Sequence, residues 1–527
     1  TANTRCRVAS YYSGAEFYQI EQLEIRDVRL VYAPHAGVGV YGGETDNWRW
    51  PRHTGDFSFL RAYVGPDGMP ADYSPKNVPF KPQHFLRVAS EQLDAGDFVM
   101  VAGYPGRTSR LLTAAETKEA AEWYYPRRIA LFEEYLATLD SVSQGRKDIA
   151  IKAASRHRGL SNYLTNYRGM LDGLVKGKLA DERVRMEGEL ANWIDADPER
   201  KAKYDGVLTA MAELDKANLA TRERDAAEGE LLRASRLLGA AQTILKMAKE
   251  RRKPDAERAP GYQKRDFARR QQQLASLQEV YDPDLDRAIF KLFLTRAARL
   301  PKADQPPALA TIVGEGPYDE AAINSALDRL YKSTKLGNKK YRLRLLKRAK
   351  PSSLKRSRDP FIRLALKLEP QIKEREQRNE RESGAMAALR PRYIRALREF
   401  NGKELAPDAN STLRVTYGTV RGYRPRPDAP LYRPFTVLSE MVAKHTGEEP
   451  FIAPAAVLDA FKARKFGPYV DDDLAEIPVD FLADLDITGG NSGSATLNAR
   501  GELVGLVFDG NYEAMASDWI FMPEITR

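Results

Sequence analysis

Cysteine is almost absent from this sequence: Cys6 is the only one in 527 residues. That excludes an internal disulfide and any cysteine-rich metal site. Histidine is scarce too, at five residues, which narrows the choice of any general base. No run of 18 apolar residues occurs, so no membrane-spanning helix is expected. A secretory leader is also missing, but the chain opens at Thr1 and stops at Ile525-Thr526-Arg527, just after the apolar run from Trp519 to Met522. Both ends read as cut, and the missing targeting signals therefore exclude nothing. Charge, by contrast, is plentiful: 83 Lys and Arg stand against 73 Asp and Glu, a net +10, so anionic partners have to be considered. The base is densest from Lys332 to Arg358, where Leu336, Leu343, Leu346 and Leu354 interrupt the charges at near-helical spacing. With no aromatic interleaving and no nucleic-acid motif, the run reads as a solvated helix face, and no nucleic-acid partner is expected.

The length calls for two or three domains. Short β-type runs occupy Val28–Tyr32, Phe57–Val64, Phe85–Val88 and Phe98–Ala102, separated by glycine-rich connections. From about Leu111 to Phe400 the composition turns to Ala, Leu, Glu, Lys and Arg, which favours helices. Within that region Leu231, Ala234, Leu238, Ala241, Leu245 and Ala248 predict one amphipathic helix. β character returns at Ser411–Gly418 and continues through Val479 to Phe521. The expected architecture is α+β and multi-domain: residues 1–110 and 406–527 form one β-barrel catalytic domain, and residues 111–405 form an inserted all-helical domain.

Thr488-Gly489-Gly490-Asn491-Ser492-Gly493-Ser494 carries the strongest chemical signal. A serine flanked by glycines can sit on a turn whose backbone N–H groups converge on one point, as an acyl-transfer oxyanion requires. A hairpin turn at Ala499-Arg500-Gly501 and an apolar strand from Leu503 follow it. Ser492 is the candidate nucleophile, with the Gly490 and Ser492 N–H groups as oxyanion hole. A chymotrypsin-like order of histidine, aspartate and serine selects Asp56, at the start of an apolar strand, as the triad aspartate. The general base is harder to find. Only His35 and His53 precede Asp56, and His53, three residues away in the same loop, is too local to serve both partners. The catalytic histidine is therefore expected upstream of Thr1, and the chain by itself is expected to be inert. No metal or cofactor is called for.

The runs Asp46-Asn47-Trp48-Arg49-Trp50-Pro51-Arg52-His53-Thr54-Gly55-Asp56-Phe57-Ser58, Gly103-Tyr104-Pro105-Gly106, Ser161-Asn162-Tyr163, Gly489-Gly490-Asn491-Ser492-Gly493-Ser494 and Phe508-Asp509-Gly510-Asn511 resemble the bacterial serine dipeptidyl-peptidase family that includes dipeptidyl-peptidases seven and eleven. The resemblance spans essentially the whole chain. It implies a chymotrypsin-type double β-barrel with a helical cap, release of dipeptides from peptides with a free N-terminus, a periplasmic or cell-surface location, and a homodimer. It also implies that Asn47, Trp48, Asn162 and Asp509 bind the substrate's N-terminus. Gly510 falls, by the same likeness, in the pocket for the residue before the scissile bond. Glycine there would leave that pocket open and uncharged, so a hydrophobic residue is expected. An inactive or peptide-binding homologue of the same fold is the alternative reading.

Overall fold

The structure, a computed structural model, describes residues 4–402 and 405–527. Eleven strands are seen among them: β1 (Thr4–Tyr11), β2 (Glu16–Leu23), β3 (Asp27–Tyr32), β4 (Phe59–Val64), β5 (Val78–Pro79), β6 (Phe98–Gly103), β7 (Arg414–Thr419), β8 (Phe435–Val437), β9 (Pro478–Phe481), β10 (Ala495–Asn498) and β11 (Leu503–Leu506). The expected run at Phe85–Val88 is not a strand; it contributes one bridge, Val88 to Leu503. By contact density the chain divides into two compact units, residues 1–126 with 162–208 and 389–527, and residues 127–161 with 209–388. Composition changes near residues 111 and 405, whereas these units assign the helical stretches 162–208 and 389–401 to the strand-bearing unit.

In the strand-bearing unit an antiparallel sheet ordered β11-β10-β6-β7 joins segments nearly four hundred residues apart in the chain. Side chains alternate across a strand, and the inward pair Val99 and Val101 of β6 is fully buried with Val420, Ala483 and Leu485. β1 and β2 form a hairpin, β3-β4-β5 a second sheet and β8-β9 a third. These four sheets stay separate and none closes among the described residues, so the double β-barrel is not what the structure displays. The strands are short, and those of the β3-β4-β5 sheet keep apolar side chains such as Leu30 and Leu60 about two-thirds exposed instead of packing them across a closed interior.

Two glycines set a helix against the C-terminal segment of the same unit. On the helix Lys147–Lys176, a Cβ on Gly169 would lie 2.4 Å from Met515 Sδ, and one on Gly173 2.4 Å from Ala516 Cβ. Only glycine allows so close an approach. The contact fixes the half of this helix that carries Asn162 relative to the chain leaving β11.

The second unit is helical. The predicted apolar stripe from Leu231 to Ala248 is divided: one helix ends at Ala234, and the next, Arg236–Glu250, begins after Ser235. Ser235 is extended (ψ 133°) and its hydroxyl accepts from the Leu237 and Leu238 N–H groups while donating to the buried Asp286. Capping and a buried carboxylate break a helix that periodicity alone would continue. In the basic run Leu336, Leu346 and Leu354 are buried, but not on the single helix their spacing suggested: Leu336 lies in a turn, Leu346 on the helix Lys339–Arg348 and Leu354 on the helix Pro351–Lys355. Arg342 is buried as well and donates to the Leu274, Leu336 and Gly337 carbonyls. Among the described residues no helix is long and apolar enough to cross a membrane.

Candidate active site

The loop from Pro34 to Asp56 is tied down by its own polar groups. His35 Nδ1 accepts from the Gly37 N–H (3.0 Å), Thr54 Oγ1 donates to the Tyr41 carbonyl (2.8 Å), and the Arg52 guanidinium donates to Thr54 Oγ1 (2.9 Å) and the Asp46 carbonyl (2.7 Å). Within it Trp48 adopts φ +62°, a conformation that costs an L-residue on the order of 1–2 kcal/mol. The surroundings hold it there. The Trp48 N–H donates to Asp509 Oδ2 (3.0 Å) and its indole N–H to Asn162 Oδ1 (3.0 Å), which also accepts from Asn47 Nδ2 (2.9 Å).

Asn47, Trp48, Asn162 and Asp509, which the family resemblance joined as one set, thus meet in one place, and Gly510, expected in the neighbouring side-chain pocket, adjoins them. Asp509, at 15% side-chain exposure, accepts through Oδ2 from Trp48 and from Arg52 Nη1 (3.0 Å), and through Oδ1 from the Gly510 N–H (3.0 Å). Burial raises its pKa above the usual carboxylate range, and the Arg52 charge and the backbone donors offset only part of that. Oδ1 keeps a lone pair for a further donor, and Asn47 Oδ1 accepts from nothing among the described residues. The site can therefore receive a cation with several N–H bonds. Sequence reasoning missed Arg52. Its signal lay inside the quoted Trp50-Pro51-Arg52-His53 run, but nothing in that run separates a buried arginine from a surface one.

Ser492 is exposed on a turn that glycine makes possible. Gly490 has φ +107°, and a Cβ there would stand 2.5 Å from the Gly106 nitrogen and 2.6 Å from the Tyr104 carbonyl oxygen. Gly493, at φ +85°, donates to the Val507 carbonyl (2.7 Å), and Val507 returns a bond to Ser494 O (3.0 Å), which fastens the turn to the end of β11. The Asn491 N–H turns inward to Thr488 O. The N–H groups of Gly490 and Ser492, in contrast, donate to no described residue, the arrangement an oxyanion receptor needs.

Asp56 is exposed and forms no hydrogen bond among the described residues. It lines a cavity of about 750 Å³ together with Arg49, Arg52, Asp509 and Gly510; Ser492 is not in that lining. Behind it Asp480 accepts from the Thr54 N–H (2.9 Å) and, by burial above all, has its pKa raised to about 7. No described histidine bonds Asp56 or Ser492. His53 is buried against Glu440 (3.3 Å), its pKa lowered first by burial; His445 accepts from the Ala453 N–H, and His157, in the second unit, pairs with Asp140. Gly510 does leave its wall open, since a Cβ would meet only Arg527 O at 3.6 Å and Trp48 Cζ3 at 3.8 Å. The surroundings are nevertheless not uncharged: Arg49, Arg52 and Arg527 line the same cavity. The wall is mixed, because Phe57, Leu93, Phe481, Val504, Val507 and Phe508 line the cavity too. Among the described residues no group of three or more His, Cys, Asp or Glu could hold a metal ion.

Comparison with known proteins agrees with this geometry. An Asp/Glu-specific dipeptidyl-peptidase from Shewanella putrefaciens is 37% identical, the match covering 100% of this chain and 74% of the relative. Dipeptidyl-peptidase 7 of Capnocytophaga gingivalis is 33% identical over 99% of the chain and 72% of its own length. The structure of Porphyromonas endodontalis DPP11 in complex with the dipeptide Arg-Glu superimposes with a TM-score of 0.80 at 28% identity, covering 100% of this chain and 74% of that one. With residues 1–527 also matching the Peptidase S46 family throughout, the chain belongs to the peptidase S46 family.

Proposed function

We propose that this S46 peptidase is a serine-type exopeptidase that releases dipeptides from the free N-terminus of peptides. The observation that carries the reading is the largely buried Asp509 carboxylate, held on Oδ2 by Trp48 and Arg52 while Oδ1 takes only the Gly510 N–H, with Asn47 joined to the same cluster through Asn162. A substrate ammonium fits that set. The ammonium, on this reading, is anchored two residues before the bond that Ser492 attacks.

On this reading Ser492 Oγ attacks the carbonyl of the second residue while an imidazole takes its proton. The Gly490 and Ser492 N–H groups stabilise the oxyanion, and the collapsing intermediate expels the peptide's amine, protonated by the imidazolium. Water then hydrolyses the dipeptidyl ester. Asp56 orients that imidazole. The imidazole itself belongs to a segment outside residues 1–527, a reading supported by the greater length of the relatives and by the engagement of His53 and His445 elsewhere.

For the residue before the scissile bond we infer an acidic side chain. The Shewanella relative is named for Asp/Glu specificity, DPP11 has been crystallised with Arg-Glu and Arg-Asp, and the cavity beside Gly510 is lined by arginines. A periplasmic or cell-surface location and a homodimer rest on the family resemblance alone.

The test is cleavage by the intact protein of matched dipeptidyl substrates with free and acetylated N-termini. Only the free amine should be processed. Equal rates would indicate an endopeptidase, and binding without turnover would favour a peptide-binding homologue.

A further inference from the structure

Asp56 has no hydrogen-bonding partner among the described residues, so its carboxylate is placed by its main chain alone. That main chain is anchored in the buried segment just before it. Thr436 Oγ1, on β8, donates to the Arg52 carbonyl (2.6 Å), and Asp480 Oδ2, on β9, accepts from the Thr54 N–H (2.9 Å). The Thr436 hydroxyl also accepts from the Asp480 N–H (3.2 Å), which ties the two anchors together. Arg52, His53, Thr54, Thr436 and Asp480 are each at most 9% exposed, so the loss of either anchor leaves a buried main-chain group unpaired. The pair stands on an irregularity of its sheet. Phe435 pairs with Phe481 and Val437 with Pro478, which leaves Thr436 alone opposite two residues, Val479 and Asp480. An extra residue of this kind bends a strand and re-aims its side chains, a device enriched beside active sites. Here the re-aimed side chain is that of Asp480, turned to bind main chain. The segment it holds carries two parts of the site: Arg52, at its start, pairs with Asp509 (3.0 Å), and Asp56 stands at its end.

We propose that Thr436 and Asp480 are positioning residues for the reaction: together they hang the segment from Arg52 to Asp56 on β8 and β9 and hold the triad carboxylate in register with the amine receptor. The proposal rests on the dipeptidyl-peptidase reading, which gives Arg52 and Asp56 their roles. Neither side chain needs to touch substrate, because a misplacement of about 1 Å at a catalytic group is enough to cost roughly 100-fold in rate.

The test uses the intact protein and a fluorogenic dipeptidyl substrate with a free N-terminus, assayed well below the melting temperature of each variant. Thr436→Val, of nearly the same shape, and Asp480→Ala should each lower kcat/KM about 10- to 100-fold. Thr436→Ser, which keeps the hydroxyl, should regain most of that loss. Residues that act through one another are non-additive, so in an Asp56→Asn background the further loss in kcat from Asp480→Ala should shrink to within about twofold. A purely structural effect would lower both backgrounds alike. Unchanged kcat/KM in Thr436→Val and Asp480→Ala, or equal losses from Asp480→Ala with and without the Asp56 carboxylate, would overturn the proposal. Equal cleavage of the N-acetylated substrate by the unaltered enzyme would overturn the dipeptidyl-peptidase reading instead, and the Asp56 cycle would still decide whether Asp480 acts through Asp56.

Discussion

Replacing Asp509 with Asn keeps the shape of the amine receptor and removes its charge, which allows the consequences to be worked from the contacts. A charge-assisted bond to the ammonium contributes about 1.5–3 kcal/mol net, so its loss alone predicts a fall in kcat/KM of roughly 10- to 150-fold. The real fall should exceed this, because Arg52, at 11% exposure, then presents an uncompensated positive charge to the incoming ammonium. The same unpaired guanidinium weakens the fold. Breaking a buried pair by removing one partner costs about 3–5 kcal/mol, and the lower end applies here since Arg52 keeps its bonds to Thr54 and Asp46. The double variant Asp509→Asn, Arg52→Met removes both charges; it should recover thermal stability without recovering activity. Melting temperature and kcat/KM, measured on the single and double variants, separate the two effects. Near-normal turnover by Asp509→Asn on substrates with a free N-terminus would refute the receptor.

Ser492→Ala should abolish turnover, by several orders of magnitude in kcat, with an unchanged melting temperature; residual near-normal rates would reject Ser492 as nucleophile. Asp480, with its folded pKa raised to about 7, favours the fold in its protonated form. That contribution is complete below the ordinary carboxylate pKa and is lost as pH rises towards 7, an effect on the order of 4 kcal/mol for a shift of this size. Asp480→Asn, which cannot ionise, should accordingly melt higher than the unaltered protein at pH 8 and match it near pH 4; parallel curves across that range would contradict the burial argument. Gly173→Ala places a Cβ 2.4 Å from Ala516 Cβ, so the helix carrying Asn162 must shift; lower thermal stability and a raised KM are expected, and no change in either would show that the contact yields freely.

What the sequence made legible follows from how locally each feature is encoded. The Ser492 turn could be read directly, because Gly490 and Gly493 take left-handed φ values that other residues resist. The amine receptor could not. Asn47, Asn162 and Asp509 come from a loop, a helix and the segment that follows β11, and only the family resemblance joined them. Gly169 and Gly173, which set the Asn162 helix, look in the sequence like weak points of a helix. Arg52 and Ser235 were missed for one reason: each acts through a buried carboxylate, Asp509 and Asp286, that lies far along the chain. The β content was found in part: the runs at Val28, Phe57, Phe98 and Ser411 are strands, with edges displaced by two or three residues at Phe57 and Ser411, whereas Phe85–Val88 is not a strand and the β1-β2 hairpin was not expected. Closure of those strands into a barrel was a global inference that short local runs cannot carry. The uncharged surroundings expected at Gly510 were read from one missing side chain, and a glycine says nothing of an arginine 461 residues away in sequence that lines the same cavity.

The pairing of Arg52 with Asp509 also explains how one carboxylate can be both dry and charged. Burial alone would drive Asp509 towards its neutral form, which could not hold an ammonium. A counter-charge prevents that, yet a counter-charge on the receiving oxygen would compete with the substrate. The structure divides the two duties between the oxygens: Oδ2 takes Arg52 and the Trp48 N–H, and Oδ1 takes only the Gly510 N–H. Trp48 can reach Oδ2 with its main chain and Asn162 with its indole because its backbone is turned to φ +62°. The strain at that residue is therefore tied to the geometry that leaves Oδ1 open. Arg52→Met should accordingly raise the Asp509 pKa further, since the charge that opposes burial is gone. Ionised receptor would then be lost at a higher pH, and the acid limb of the kcat/KM profile should move upward. An acid limb that stays where it is in the unaltered enzyme would mean that another group sets it, and that Arg52 has no part in keeping Asp509 charged.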